Sequence, residues 1–128
     1  MSAEQKIITV IDDNPDMTML LTTLLEMEKF KVIPLINTSK ENITNSLLNQ
    51  KPHVIIMDIH LCESNGLEIL SYLKKDLFLK EIKVILTSGE NLESEALAVG
   101  ADYFLLKPYM PNNLLKLLFK LTNQKEGV

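Results

Sequence analysis

The sequence has no arginine: all 13 of its basic residues are lysine. The planar fork that grips carboxylates and phosphates in pairs is therefore missing. Any phosphate site has to be built from lysine, backbone N–H groups, hydroxyls or a metal ion. Tryptophan is absent and Cys62 is the sole cysteine. A lone cysteine excludes an internal disulfide and suits a reducing compartment without requiring one. No apolar run approaches the roughly 18 residues of a membrane span. The opening "MSAEQK" lacks the apolar segment of a signal peptide, so the cytoplasm is the expected location. A basic excess is also lacking. The net charge of −4 argues against a general binder of nucleic acid or of anionic membrane, both of which need a basic face.

What is present is an ordinary globular composition, 46% apolar and 23% charged over 128 residues. That length suits one domain with a real core, here residues 1–128 with the core at about 6–122 and loose ends at 1–5 and 123–128. Short β-branched runs alternate with longer amphipathic ones. "KIITVI" (6–11), "KVIPLI" (31–36), "HVIIM" (53–57), "IKVIL" (82–86) and "DYFLL" (102–106) read as strands. Pro34 has no N–H to donate, which puts the second strand at an edge. Asn14 and Pro15 supply a cap and a first turn for a helix whose inward face is Met17, Leu20, Leu21, Leu24 and Leu25. A weak polar helix follows the second strand. The next spans 65–78 with Leu67, Leu70, Leu73 and Leu77 inward. "LESEALAV" ends at Gly100. A last helix over 112–122 carries a core stripe of Leu114, Leu117, Leu118 and Leu121; Leu115 and Phe119 at its flank suit either a partner surface or a broad core face. Five β–α units imply an α/β fold whose parallel sheet is covered on both faces.

In such a sheet the C-terminal strand ends share one side, where ligands bind. The first strand ends in Asp12-Asp13, the third in Asp58, the fourth in Thr87-Ser88-Gly89 and the fifth in Lys107-Pro108. Three carboxylates, a hydroxyl and an ammonium are expected on one rim. Clustered carboxylates repel unless a cation joins them. Oxygen donors without a His or Cys set favour Mg²⁺, which keeps waters and leaves room for phosphate. Lys107 offers a mobile point charge for a phosphoryl oxygen. A carboxylate can itself take a phosphoryl group, and Asp58, the lone acid at the middle strand's end, is the candidate. Blander roles exist for each: Asp58 as a turn acid, Asp12-Asp13 as partners of a helix dipole, Thr87 as a helix cap, Lys107 as a solvated strand end, Phe104 as a core aromatic. His53 and His60 read as surface or turn histidines.

Four segments, "VIDDNP" (10–15), "IIMDIHLCESNG" (55–66), "VILTSGE" (84–90) and "GADYFLLKPY" (100–109), taken together and in order, resemble the receiver domain of two-component response regulators, the single-domain, chemotaxis-regulator-like kind. The resemblance spans about residues 6–122. It implies a (βα)5 flavodoxin-like three-layer sandwich with a five-stranded parallel sheet of order 2-1-3-4-5. It further implies that Asp58 receives a phosphoryl group from a phosphohistidine of a sensor histidine kinase or histidine phosphotransfer protein. Mg²⁺ would be held by Asp13, Asp58 and the backbone carbonyl of His60, with Asp12 acting through water. Thr87 and Lys107 would bind the attached phosphoryl group, and Phe104 would be the rotamer switch coupled to Thr87. The sequence departs from the family's pattern at Cys62, where proline is common; a less rigid loop after Asp58 is expected. His60 stands where the family varies and tunes hydrolysis of the phosphoryl group.

The leading expectation is a stand-alone receiver in a phosphorelay, acting on a downstream target protein, with no nucleic acid or membrane partner. It would be no enzyme beyond its own phosphorylation and dephosphorylation. Competing readings are a degenerate receiver that binds partners without phosphorylation, and a small-molecule phosphatase with an Asp nucleophile. The latter commonly needs an acid two residues after the nucleophile, where this chain has His60. A nucleotide or flavin binder is disfavoured because "DDNPD" is acidic and lacks G-x-G-x-x-G.

Overall fold

Each of the five apolar runs forms a strand, and each is followed by a helix. The computed structural model describes residues 4–124; of the loose ends expected at 1–5 and 123–128, residues 1–3 and 125–128 lie outside them. In chain order the elements are β1 (Ile7–Ile11), α1 (Pro15–Met27), β2 (Lys31–Leu35), α2 (Lys40–Gln50), β3 (Val54–Asp58), α3 (Gly66–Lys74), β4 (Lys83–Ser88), α4 (Glu93–Ala98), β5 (Tyr103–Leu106) and α5 (Pro111–Leu121). All strand pairs are parallel and the sheet order is β2-β1-β3-β4-β5, as the resemblance implies.

Side chains alternate across the sheet. Val54 and Ile56 enter one core layer with Leu21 and Leu25 of α1 and Leu114 and Leu118 of α5. Ile55 and Met57 enter the other with Ile43 and Leu47 of α2, Leu70 and Leu73 of α3 and Ala96 of α4. Burial on both faces is why the strands read as unbroken apolar runs. Edge strand β2 meets β1 alone. The N–H of Lys31 donates to the Lys6 carbonyl and the Leu35 carbonyl accepts from Asp12, so odd-numbered residues of β2 face its neighbour. Pro34 therefore turns its missing donor outward.

Local signals set the helix starts. Asn14 accepts from the N–H groups of Asp16 and Met17, Ser39 from Asn42, and Asn65 from Leu67 and Glu68. Gly100 has a φ of +105°, the left-handed conformation that closes α4. His53 acts structurally: its Nδ1 accepts the Ile7 N–H at 3.0 Å.

Two expectations about the helices need correction, and a third, left open, is decided. Leu20 is 63% exposed; α1 buries Thr18, Leu21 and Leu25 instead, and Leu20 borders a surface groove. Helix α3 ends at Lys74 rather than at residue 78. The Asp76 carboxylate accepts the N–H groups of Phe78 and Leu79, a turn that competes with the helix. Leu79 is then buried, while Leu77 is 76% exposed. Phe119 is a core residue, its ring 5.8 Å from that of Phe30 in a stacked pair, which favours the broad core face over a partner surface at that position.

Candidate phosphoacceptor site

The C-terminal ends of β1, β3, β4 and β5 bring the expected residues to one rim. Asp58 closes β3 and stands in register opposite Thr87 of β4. Thr87 is buried, and its carbonyl accepts the Ile59 N–H at 2.9 Å, which continues the pairing past Asp58. Lys107 leaves β5 through a cis peptide bond to Pro108. Its N–H is anchored on the Ser88 carbonyl at 2.8 Å. The ammonium then reaches both Asp12 Oδ2, at 3.1 Å, and Asp58 Oδ2, at 3.3 Å. Asp12 is buried, and its other oxygen accepts the Asn14 N–H. One cation thus bridges two carboxylates from neighbouring strands.

Gly66 lies directly behind Asp58. A Cβ there would stand 2.7 Å from the Asp58 carbonyl oxygen and 2.9 Å from Ile59 Cα. The Gly66 N–H donates to the Ile59 carbonyl at 2.8 Å, so the loop after β3 folds back tightly onto the strand end. Over the top, the exposed His60 Nε2 lies 2.7 Å from Glu90 Oε1 and joins the loops that follow β3 and β4.

The electrostatics follow from this crowding. Burial pushes the Asp58 carboxyl above its usual value of 3.8; the Lys107 ammonium opposes that rise and the Asp12 carboxylate adds to it. For Lys107 burial works downward, but its bonds to Asp12 and Asp58 and their charges outweigh burial, and its pKa is raised. The Tyr109 phenol is pushed up to about 12 by burial, then by Asp12 and Asp58. Its buried hydroxyl has no partner among the described residues.

The structural alternatives fall unevenly. Asn65, not Asp58, caps α3, and Asn14, not the acid pair, caps α1. Ser88, not Thr87, turns the loop before α4, its Oγ accepting the Glu90 N–H at 3.0 Å. Phe104 packs, half-buried, against the core layer of α2, α3 and α4, one position before Leu105, Thr87's partner in register. Asp13 reaches the rim, but its carboxylate turns aside to the Thr38 hydroxyl and the Cys62 N–H. Among the described residues no three of His, Cys, Asp and Glu gather closely enough to hold a metal ion. The donors at the rim, carboxylates and backbone carbonyls, fit Mg²⁺ in kind. The sequence signalled neither the Tyr109 hydroxyl nor the partners of Asp13. Tyr109 follows Lys107-Pro108 with no polar neighbour to mark it, and nothing near Thr38 in the chain points to Asp13.

Comparison with known proteins identifies the family. Residues 8–119 match the family model described as response regulator receiver domain. The chain is 32% identical over 117 residues to the two-component response regulator ORR3 of Oryza sativa subsp. indica, covering 89% of this chain and 88% of that protein. It is 28% identical over 113 residues to the phosphate regulon transcriptional regulatory protein PhoB of Pseudomonas aeruginosa, covering 86% of this chain and 48% of that one. The chain therefore spans about half the length of that regulator. The signal receiver domain of a DNA-binding response regulator from Colwellia psychrerythraea superposes with a TM-score of 0.86 at 25% identity, over 94% of this chain and 100% of that one. The chain belongs to the response regulator receiver domain family. It is a module of two-component signalling.

Proposed function

We propose that Asp58 accepts a phosphoryl group from a phosphohistidine, and that the modified domain then signals through contact with a target protein. A carboxylate oxygen of Asp58 would attack phosphorus, the new O–P bond forming as the N–P bond to the donor imidazole breaks. The observation that carries this reading is the Lys107 ammonium shared by Asp12 and Asp58 at 3.1 and 3.3 Å. That cation is placed to follow charge onto the phosphoryl oxygens. Thr87, opposite Asp58 in register, would donate its hydroxyl to one of them. Mg²⁺ would neutralise charge between the acceptor and the incoming group; Asp13, Asp58 and the His60 carbonyl would hold it directly, and Asp12 through water.

The phosphodonor would be a sensor histidine kinase or a histidine phosphotransfer protein. An apolar groove of about 450 Å³ adjoins the rim, lined by Met17, Leu20, Leu24, Pro108 and Tyr109, and a donor protein would cross it to reach Asp58. Movement of Thr87 toward the phosphoryl group would open space for Phe104 and change the surface around β5. Among the described residues no helix is long and apolar enough to cross a membrane.

The test is mass spectrometry after incubation with Mg²⁺ and acetyl phosphate. The expected result is a gain of about 80 Da that Asp58→Asn abolishes. No gain with acetyl phosphate or with a cognate kinase would overturn the reading in favour of a receiver that binds without phosphorylation.

A further inference from the structure

Asp13 is held from two sides by groups distant in sequence. The hydroxyl of Thr38, which is 2% exposed, donates to one carboxylate oxygen, and the backbone N–H of Cys62 donates to the other. These donors sit on the loops that follow β2 and β3. The Ser64 hydroxyl, donating to the Thr38 carbonyl at 2.7 Å, joins the same two loops to each other. Asp13 thereby closes a ring of contacts across the strand ends, with both oxygens engaged away from Asp12 and Asp58. Hydrogen bonds to an ionised carboxylate are among the stronger ones. A side chain so held has to give up part of that bonding before it can share a cation with Asp58.

We propose that Thr38 and the Cys62 N–H form a latch on Asp13 that competes with divalent-ion binding. The latch weakens the protein's hold on Mg²⁺, and arrival of the ion frees the loop after Asp58. This rests on the Mg²⁺-dependent reading given above. Only molecules with an open latch are competent, so the apparent dissociation constant rises as the open fraction falls. Proline at 62 would leave only the Thr38 half of the latch, because it has no N–H to give. Cys62 and Thr38 are positioning residues: they act through Asp13 and need not touch the ion.

Calorimetric titration of the full chain with magnesium chloride tests the latch. Cys62→Pro removes one donor, and Thr38→Val removes the other while keeping a branched side chain. Each is expected to tighten Mg²⁺ binding about 3- to 10-fold. In the unsubstituted protein, hydrogen exchange at the Cys62 amide is expected to be slow without Mg²⁺ and at least about tenfold faster at saturation. If Cys62→Pro fails to fold, Thr38→Val and the exchange measurement decide. Equal or weaker Mg²⁺ binding in the variants, with Cys62 exchange indifferent to the ion, overturns the latch and leaves the phosphoacceptor reading standing. Absence of Mg²⁺ binding in every protein overturns both.

Discussion

Asp58 is under opposed influences, and its titration reports their balance. Burial and Asp12 favour the protonated form; Lys107 favours the carboxylate. The net rise above 3.8 means that the folded chain holds this proton more tightly than the unfolded chain does. Stability therefore declines as pH climbs from the unfolded value through the folded one, the reverse of an ordinary ion-paired aspartate. In metal-free protein the Asp58 carboxyl carbon should titrate by NMR with a midpoint above 3.8, and Lys107→Ala should move that midpoint higher. Asp58→Asn, which removes the buried charge, should raise the melting temperature at neutral pH by about 2–5 °C. A midpoint at or below the ordinary value would contradict the account of burial. For Lys107 the sign is the usual one for a partnered lysine. Its contribution is present in full below 10.5 and is lost as pH rises through the raised value.

At the scale of elements, the turn from β3 into α3 sets the position of Asp58. Gly66 is needed because a Cβ would meet main-chain atoms, the Asp58 carbonyl and Ile59 Cα, which cannot swing aside. Gly66→Ala should cost about 1–3 kcal/mol in urea unfolding and slow acetyl phosphate labelling of Asp58. An alanine variant with unchanged stability and labelling would show the loop to be softer than described. Much of this was legible beforehand. The apolar runs gave every strand, Asn14-Pro15 marked the start of α1, and the acids at the strand ends marked the rim. The end of α3 was missed because Leu77 keeps helical spacing while Asp76 captures the N–H groups of Phe78 and Leu79. Exposure of Leu20 was missed for a related reason: periodicity gives a stripe but not its width. The partners of Asp13 were not legible, since Thr38 and Cys62 lie 25 and 49 residues away and only the closed fold brings their loops together.

For the molecule as a whole, the sheet divides the apolar interior into two layers that share no helix. Ile69 of α3 belongs to one and Ile8 of β1 to the other. Ile69→Val and Ile8→Val should each cost about 0.5–1.5 kcal/mol. The double variant should lie within about 0.5 kcal/mol of their sum, as expected for sites without shared neighbours. A larger departure in thermal or urea unfolding would mean that strain crosses the sheet. The outer margin of β2 has a separate consequence. With Pro34 facing outward, a strand from another copy approaching that margin would find a carbonyl but no amide proton at its middle. Stacking of copies edge to edge into a fibre is interrupted there by a single ring, and the domain can be abundant in a crowded cell without recruiting itself into aggregates along that margin.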